Sequence, residues 1–150
     1  MKRKQTLCVA LFFALLTLVG LLTSDDYGLP CDEPAEQVIL QENLKEYAAA
    51  FGDASAVAYY DARDVQRISE SIERDHGQAA YYAAAPLLTL ENASLRTALW
   101  HAYTWLWFMV GVLSLYFVGR ELGLSRLLAC AGALLLYLAP RFFAEGHYNN

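Results

Sequence analysis

Paired metal-ligand spacings are missing from this chain. It has no C-x-x-C and no His-x-x-x-His, so a structural zinc site is not expected. Its three cysteines are too few and too far apart for a disulfide framework. Cys8 and Cys130 fall inside apolar runs, which leaves Cys31 as the only one in a polar stretch. Charge is scarce, at 18% of residues, and positive charge scarcer, for a net of -5. Without a basic patch interleaved with aromatics, a nucleic-acid partner is excluded.

What is present instead is apolar sequence, 57% of the chain, gathered in runs and exceeding the share of an average soluble domain. Met1-Lys2-Arg3-Lys4 opens the chain and an apolar run follows from Thr6 to Leu22, near the lower length limit for a spanning helix. A cleaved signal peptide shares the basic start but needs small residues at its cleavage site. Leu21 and Leu22 spoil that pattern, so residues 1–23 read as an uncleaved signal anchor.

Residues 24–96 change character, with 14 Asp or Glu against 5 Lys or Arg. They cannot cross a bilayer and form one long loop. A helix is expected from Glu33 to Phe51, with Asp32 as N-cap, Pro34 in the first turn and Gly52 as the stop. Val38, Ile39, Leu44, Tyr47, Ala48 and Phe51 give it a rough apolar face, suited to a membrane surface or to protein. A second helix is expected from Ala62 to Arg74, broken by Asp75-His76-Gly77. A third, softer one runs from Gln78 to Leu90 and is interrupted by Pro86. Asn92-Ala93-Ser94 has the form of a glycosylation sequon.

A second span is expected over residues 97–119, a turn over 120–126, a third span over 127–140, and a tail over 141–150. The expected fold class is therefore all-α, with three membrane spans and an external loop of amphipathic interfacial helices. Lys2, Arg3, Lys4, Arg120 and Arg126 flank the spans on one side, which the positive-inside rule makes cytoplasmic. The acidic loop and the tail then share the external face. A chain ending just after a membrane exit reads as the N-terminal piece of a longer protein.

Five residues, Pro30-Cys31-Asp32-Glu33-Pro34, carry the most interesting chemistry. Adjacent carboxylates repel, and such a pair at an interface could deprotonate an acceptor hydroxyl, the neighbour binding acceptor or a divalent metal. Acidic residues at a helix N-terminus also simply stabilise its dipole. Asp25-Asp26 is a rival pair that reads better as a solvated exit. His76 could shuttle a proton or bind phosphate, beside Gly77; an exposed structural histidine is the plainer alternative. His101 is an ionisable group at the start of the second span, close enough to the headgroups to be unremarkable. Arg141 and His147 with Asn149 could grip a phosphate, although an arginine after a span is also a routine anchor.

Asp32-Glu33-Pro34, Asp75-His76-Gly77, Pro140-Arg141-Phe142-Phe143 and His147-Tyr148-Asn149-Asn150, in this order around three spans, resemble the start of a GT-C class glycosyltransferase. The likeness is to protein O-mannosyltransferase-like and dolichyl-phosphate-mannose-type enzymes. It implies an enzyme with many spans that takes a sugar from a polyprenyl-phosphate carrier to a protein, lipid or glycan acceptor outside the membrane. By that likeness Asp32 is the general base, Glu33 assists, and His76, Arg141, His147 and Asn149 lie near the carrier phosphate. The expected location is a bacterial inner membrane, or the endoplasmic reticulum in a eukaryote. The sequence departs from the pattern at its end: the Lys-Asp pair that commonly follows the asparagine is absent. The rival expectation is a non-enzymatic three-span scaffold or accessory subunit that uses the acidic loop for contact. A transporter would want polar groups mid-bilayer, and the spans hold few beyond hydroxyls and His101.

Overall fold

The computed structural model describes residues 2–30 and 32–148. It is helical, with no strand among the described residues. Two compact units divide the chain, one of residues 1–29 with 92–150 and one of residues 30–91.

The helical unit contains α1 (Lys2–Leu22), α4 (Ala93–Glu121), α5 (Arg126–Tyr137) and α6 (Pro140–Tyr148). In α1, Leu7, Leu11, Leu15, Leu18 and Leu22 are exposed; three- and four-residue spacing puts them on one outward stripe. Hydroxyls close its end: Thr23 Oγ1 donates to Val19 O and Gly20 O, both at 3.2 Å, and Ser24 Oγ to Leu21 O at 2.9 Å. The Thr23 backbone N–H also donates to Val19 O and Gly20 O, at 3.2 Å each, so the hydroxyls add to the backbone closure at the last turn, where carbonyls run out of helical partners.

Asn92, the sequon residue, caps α4 by accepting from Leu95 N at 3.0 Å. Gly123 ends that helix at φ 84, where a side chain would be strained, and Leu124 N returns to Gly119 O at 3.0 Å. Ser125 then caps α5, its Oγ accepting from Leu128 N at 3.2 Å. Phe13 and Leu16 of α1, Trp105, Met109, Val112 and Tyr116 of α4, and Ala129, Ala133 and Tyr137 of α5 form the core.

Stretches 3–22 and 93–121 are long and apolar enough to cross a membrane. The third expected span, residues 127–140, is not one straight helix. α5 has 12 residues, about 18 Å at ~1.5 Å per residue, against a hydrocarbon core of roughly 30 Å. Pro140 brings no N–H and starts a new helix, so α5 and α6 meet at 70° and make a third crossing only as a bent pair. Residues 141–148, expected as tail, are helical.

The loop unit contains α2 (Glu33–Ala50) and α3 (Ala54–Asp61), then a 3₁₀ turn Ile68–Glu70 and a 3₁₀ helix Tyr82–Thr89. Pro34 and Gly52 punctuate α2 as expected, with Gly52 at φ 75. The helix expected over Ala62–Arg74 is absent. Asp53 instead caps an earlier one, accepting from Ser55 N at 3.1 Å and Ala56 N at 3.0 Å. Past Asp64, at φ 56, polar side chains of α2 hold the chain. Lys45 donates to Val65 O and pairs with Asp61 at 2.7 Å. Glu42 accepts from Gln66 Nε2 at 2.8 Å, and Glu46 from Ser69 Oγ at 2.6 Å. Of the apolar face expected on α2, Ile39 is buried while Val38, Tyr47 and Phe51 are exposed.

Candidate functional site

The expected site residues divide between the units: Asp32, Glu33 and His76 belong to the loop unit, Arg141 and His147 to the helical one. Cys31 and Asn149 lie outside the described residues.

Asp32 occupies the N-cap position of α2 with αR backbone angles, and its side chain makes no capping bond. It is exposed. Glu33 is 1% exposed, and its Oε1 accepts from Gln37 Nε2 at 3.0 Å. The doublet is therefore split by environment. One carboxylate faces water at the positive end of an 18-residue helix dipole, and the other is held inside.

His76 stands between two acids, its Nε2 at 3.2 Å from Glu36 Oε1 and its Nδ1 at 3.7 Å from Glu73 Oε2. The other oxygen of Glu36 accepts from Gln78 Nε2. A phosphate would have to displace a carboxylate from this ring, and like charge opposes that approach. Glu36 thus organises the Asp75-His76-Gly77 turn, a role that the sequence signals only through its shared face with Asp32.

In the helical unit a polar cluster closes between α1, α4 and α6. His101 and His147 are both fully buried. His101 Nδ1 lies 2.9 Å from Ser24 O; a carbonyl only accepts, so that nitrogen carries the proton. His147 Nδ1 faces Phe143 O at 2.9 Å, while its Nε2 faces Gly20 O at 3.2 Å and Thr23 Oγ1 at 3.4 Å. Both ring nitrogens thus face backbone carbonyls, which accept and cannot donate, with Nδ1 to Phe143 O the shorter contact. The ring is sandwiched by Tyr27 at 4.1 Å and Trp105 at 4.3 Å, both stacked. Thr104 Oγ1 donates to His147 O and, at 3.0 Å, to His101 O.

His147 is thus a packing hub with no face toward solvent. Arg141, six residues earlier on the same helix, is exposed and bonds Glu145 Oε1 through Nε at 2.8 Å. Six residues at about 100° each set the two on different faces, so α6 does not present them to one phosphate. The remaining N–H groups of the Arg141 guanidinium point away from that bond and can take an anion.

Sequence reasoning singled out His101 and His147 but missed what joins them. The nearest signal is Gly20, a lone glycine inside an apolar helix. Trp105 lies directly over it, donating from Nε1 to Thr17 O at 3.1 Å. For a metal, no group of three or more His, Cys, Asp or Glu residues gathers among the described residues. Compared with protein-family models, with characterised proteins and with solved structures, the chain matches none.

Proposed function

We propose that the chain is part of a membrane glycosyltransferase that moves a sugar from a polyprenyl-phosphate donor to an acceptor on the external face. The observation that carries this reading is the split carboxylate doublet: exposed Asp32 beside buried Glu33, a few residues past the end of a span-length apolar helix. Asp32 takes the proton of the acceptor hydroxyl. The resulting oxygen attacks the anomeric carbon, and the bond from that carbon to the carrier phosphate breaks with its electrons leaving on phosphate. A base at a span exit meets a lipid-linked donor confined to the same interface. Glu33 ties the first turn of α2 together through Gln37. His76 and His147 keep structural roles in this reading, since their ring nitrogens face carboxylates and carbonyls.

The distribution of charge supports the orientation. Arg126 Nη1 donates to Gln5 Oε1 at 2.8 Å, which gathers Lys4, Arg120 and Arg126 around one groove at one end of the helical unit. That end suits the cytoplasm.

A second reading, a non-enzymatic scaffold with the acidic loop as its contact surface, draws on the structural engagement of all three histidines. The test is sugar transfer from a polyprenyl-phosphate donor by membranes holding the protein with Asp32→Asn, checked for normal insertion. Transfer should fall by at least about a hundred-fold, the scale of a lost general base. Transfer near the unaltered level would remove Asp32 from the chemistry and favour the scaffold.

A further inference from the structure

Within the helical unit, a groove of about 910 Å³ lies between α1 and α5. It is distant along both helices from the histidine cluster. Its walls are apolar, Val9 and Phe12 on α1 facing Leu127 and Leu134 on α5. The Arg126–Gln5 bond bridges the two helices at one end, and Tyr137 OH bridges them at the other, donating to Leu16 O at 3.2 Å. Lys4, Arg120 and Arg126 line the first end, and among the described residues no Asp or Glu lines the groove. Each arginine commits one Nη1 group, Arg126 to Gln5 and Arg120 to Leu124 O. The other donors of each five-donor guanidinium remain for a ligand.

We propose that this groove binds one anionic phospholipid, its phosphodiester at Lys4, Arg120 and Arg126 and one acyl chain along Phe12 and Leu134. Charge complementarity selects the occupant. Three cations without a lining carboxylate favour a headgroup of net negative charge, and guanidinium forks match phosphate oxygens. A zwitterionic headgroup brings its own ammonium to a site already positive. Near a membrane each basic residue strengthens attraction to an anionic lipid by about five-fold. The inference rests on the membrane-crossing part of the reading above and is independent of sugar transfer.

The experiment is native mass spectrometry of the detergent-purified protein after incubation with equal amounts of phosphatidylglycerol and phosphatidylcholine. One phosphatidylglycerol should be retained in preference, and Lys4→Gln or Arg126→Gln should each lower its retention about five-fold. Ala131→Trp is the control for place: Ala131 is an exposed lining residue, so the indole fills the groove, leaves every charge in position and should abolish retention. Equal retention of both lipids would overturn the proposal. So would phosphatidylglycerol binding that survives Ala131→Trp, or a dimer mass in place of a lipid adduct, which would mean a second copy seated there. Wild-type protein recovered from the soluble fraction would defeat the membrane reading and this site together. Lipid retention by a chain that transfers no sugar would support the site and count only against the transfer.

Discussion

The indole of Trp105 rests on the backbone of Gly20. A Cβ built on that glycine would lie 1.8 Å from Trp105 Cε2 and 2.1 Å from Cζ2. No rotamer adjustment removes so deep an overlap while the indole stays wedged among Phe108, Tyr137, Phe143 and His147. Gly20→Ala should therefore destabilise the helical unit by about 1–3 kcal/mol, the usual cost of overpacking. Denaturant unfolding in detergent, followed by tryptophan fluorescence, reads this out. Adding Trp105→Ala should make Gly20→Ala nearly silent, since the clash then has no partner; an undiminished effect would refute the contact.

His147→Phe keeps an aromatic ring between Tyr27 and Trp105 but removes the N–H that reaches Phe143 O. Losing one such part-buried hydrogen bond costs about 0.5–1.5 kcal/mol. The variant should unfold correspondingly earlier, and His147→Ala earlier still, because it loses the stacking too. Wild-type stability in His147→Phe would show that the ring contributes shape alone. It would also reopen a direct role for its nitrogens at a substrate.

The loop unit carries a pH signature. Burial pushes the Tyr82 phenol up to about 12 from an ordinary 10.0, with the Tyr47 hydroxyl adding to the rise. The neutral phenol is the form that the folded state favours. Its contribution is complete below the unfolded value and is lost as pH climbs from 10.0 toward about 12. Burial raises the Tyr60 phenol as well, so titrating tyrosinate absorbance should show several late phenols, with one fewer in Tyr82→Phe. If that variant and the wild type titrate alike, Tyr82 is not shielded.

The acid side of the same unit behaves oppositely. The Ser69 hydroxyl holds the Glu46 carboxyl below its usual range, so its stabilising effect is present at neutral pH and fades as pH falls through the lowered value. Ser69→Ala should flatten the acid limb of the stability curve; an unchanged limb would mean that this bond is idle.

Some of this fold was legible in the sequence. α2 was, because Pro34 and Gly52 are punctuation that acts locally. α3 was not: an eight-residue helix leaves little periodicity, and the Ala62–Arg74 stretch is shaped by Lys45, Glu42 and Glu46, which reach it from about 20 residues away. The apolar runs marked both long span-length helices, but a proline between two short ones made a bend where a single third span was expected. As for the site, the acidic doublet is visible by eye, whereas the different environments of Asp32 and Glu33 are a tertiary fact. The histidine cluster is more remote still. Gly20 and His147 meet across most of the chain, and nothing in the spacing of either residue announces the other.

The claim on which the rest depends is that the basic turn and the acidic unit lie on opposite sides of a membrane. Ile72 is 96% exposed in the loop unit and Leu122 77% exposed beside the basic turn. Each can be made the sole thiol, as Ile72→Cys or Leu122→Cys, in a chain with Cys8, Cys31 and Cys130 changed to Ser. An impermeant maleimide should label Ile72→Cys on intact cells and Leu122→Cys only after lysis. Labelling of Leu122→Cys from outside, with Ile72→Cys protected until lysis, would invert the topology and take Asp32 away from the external face.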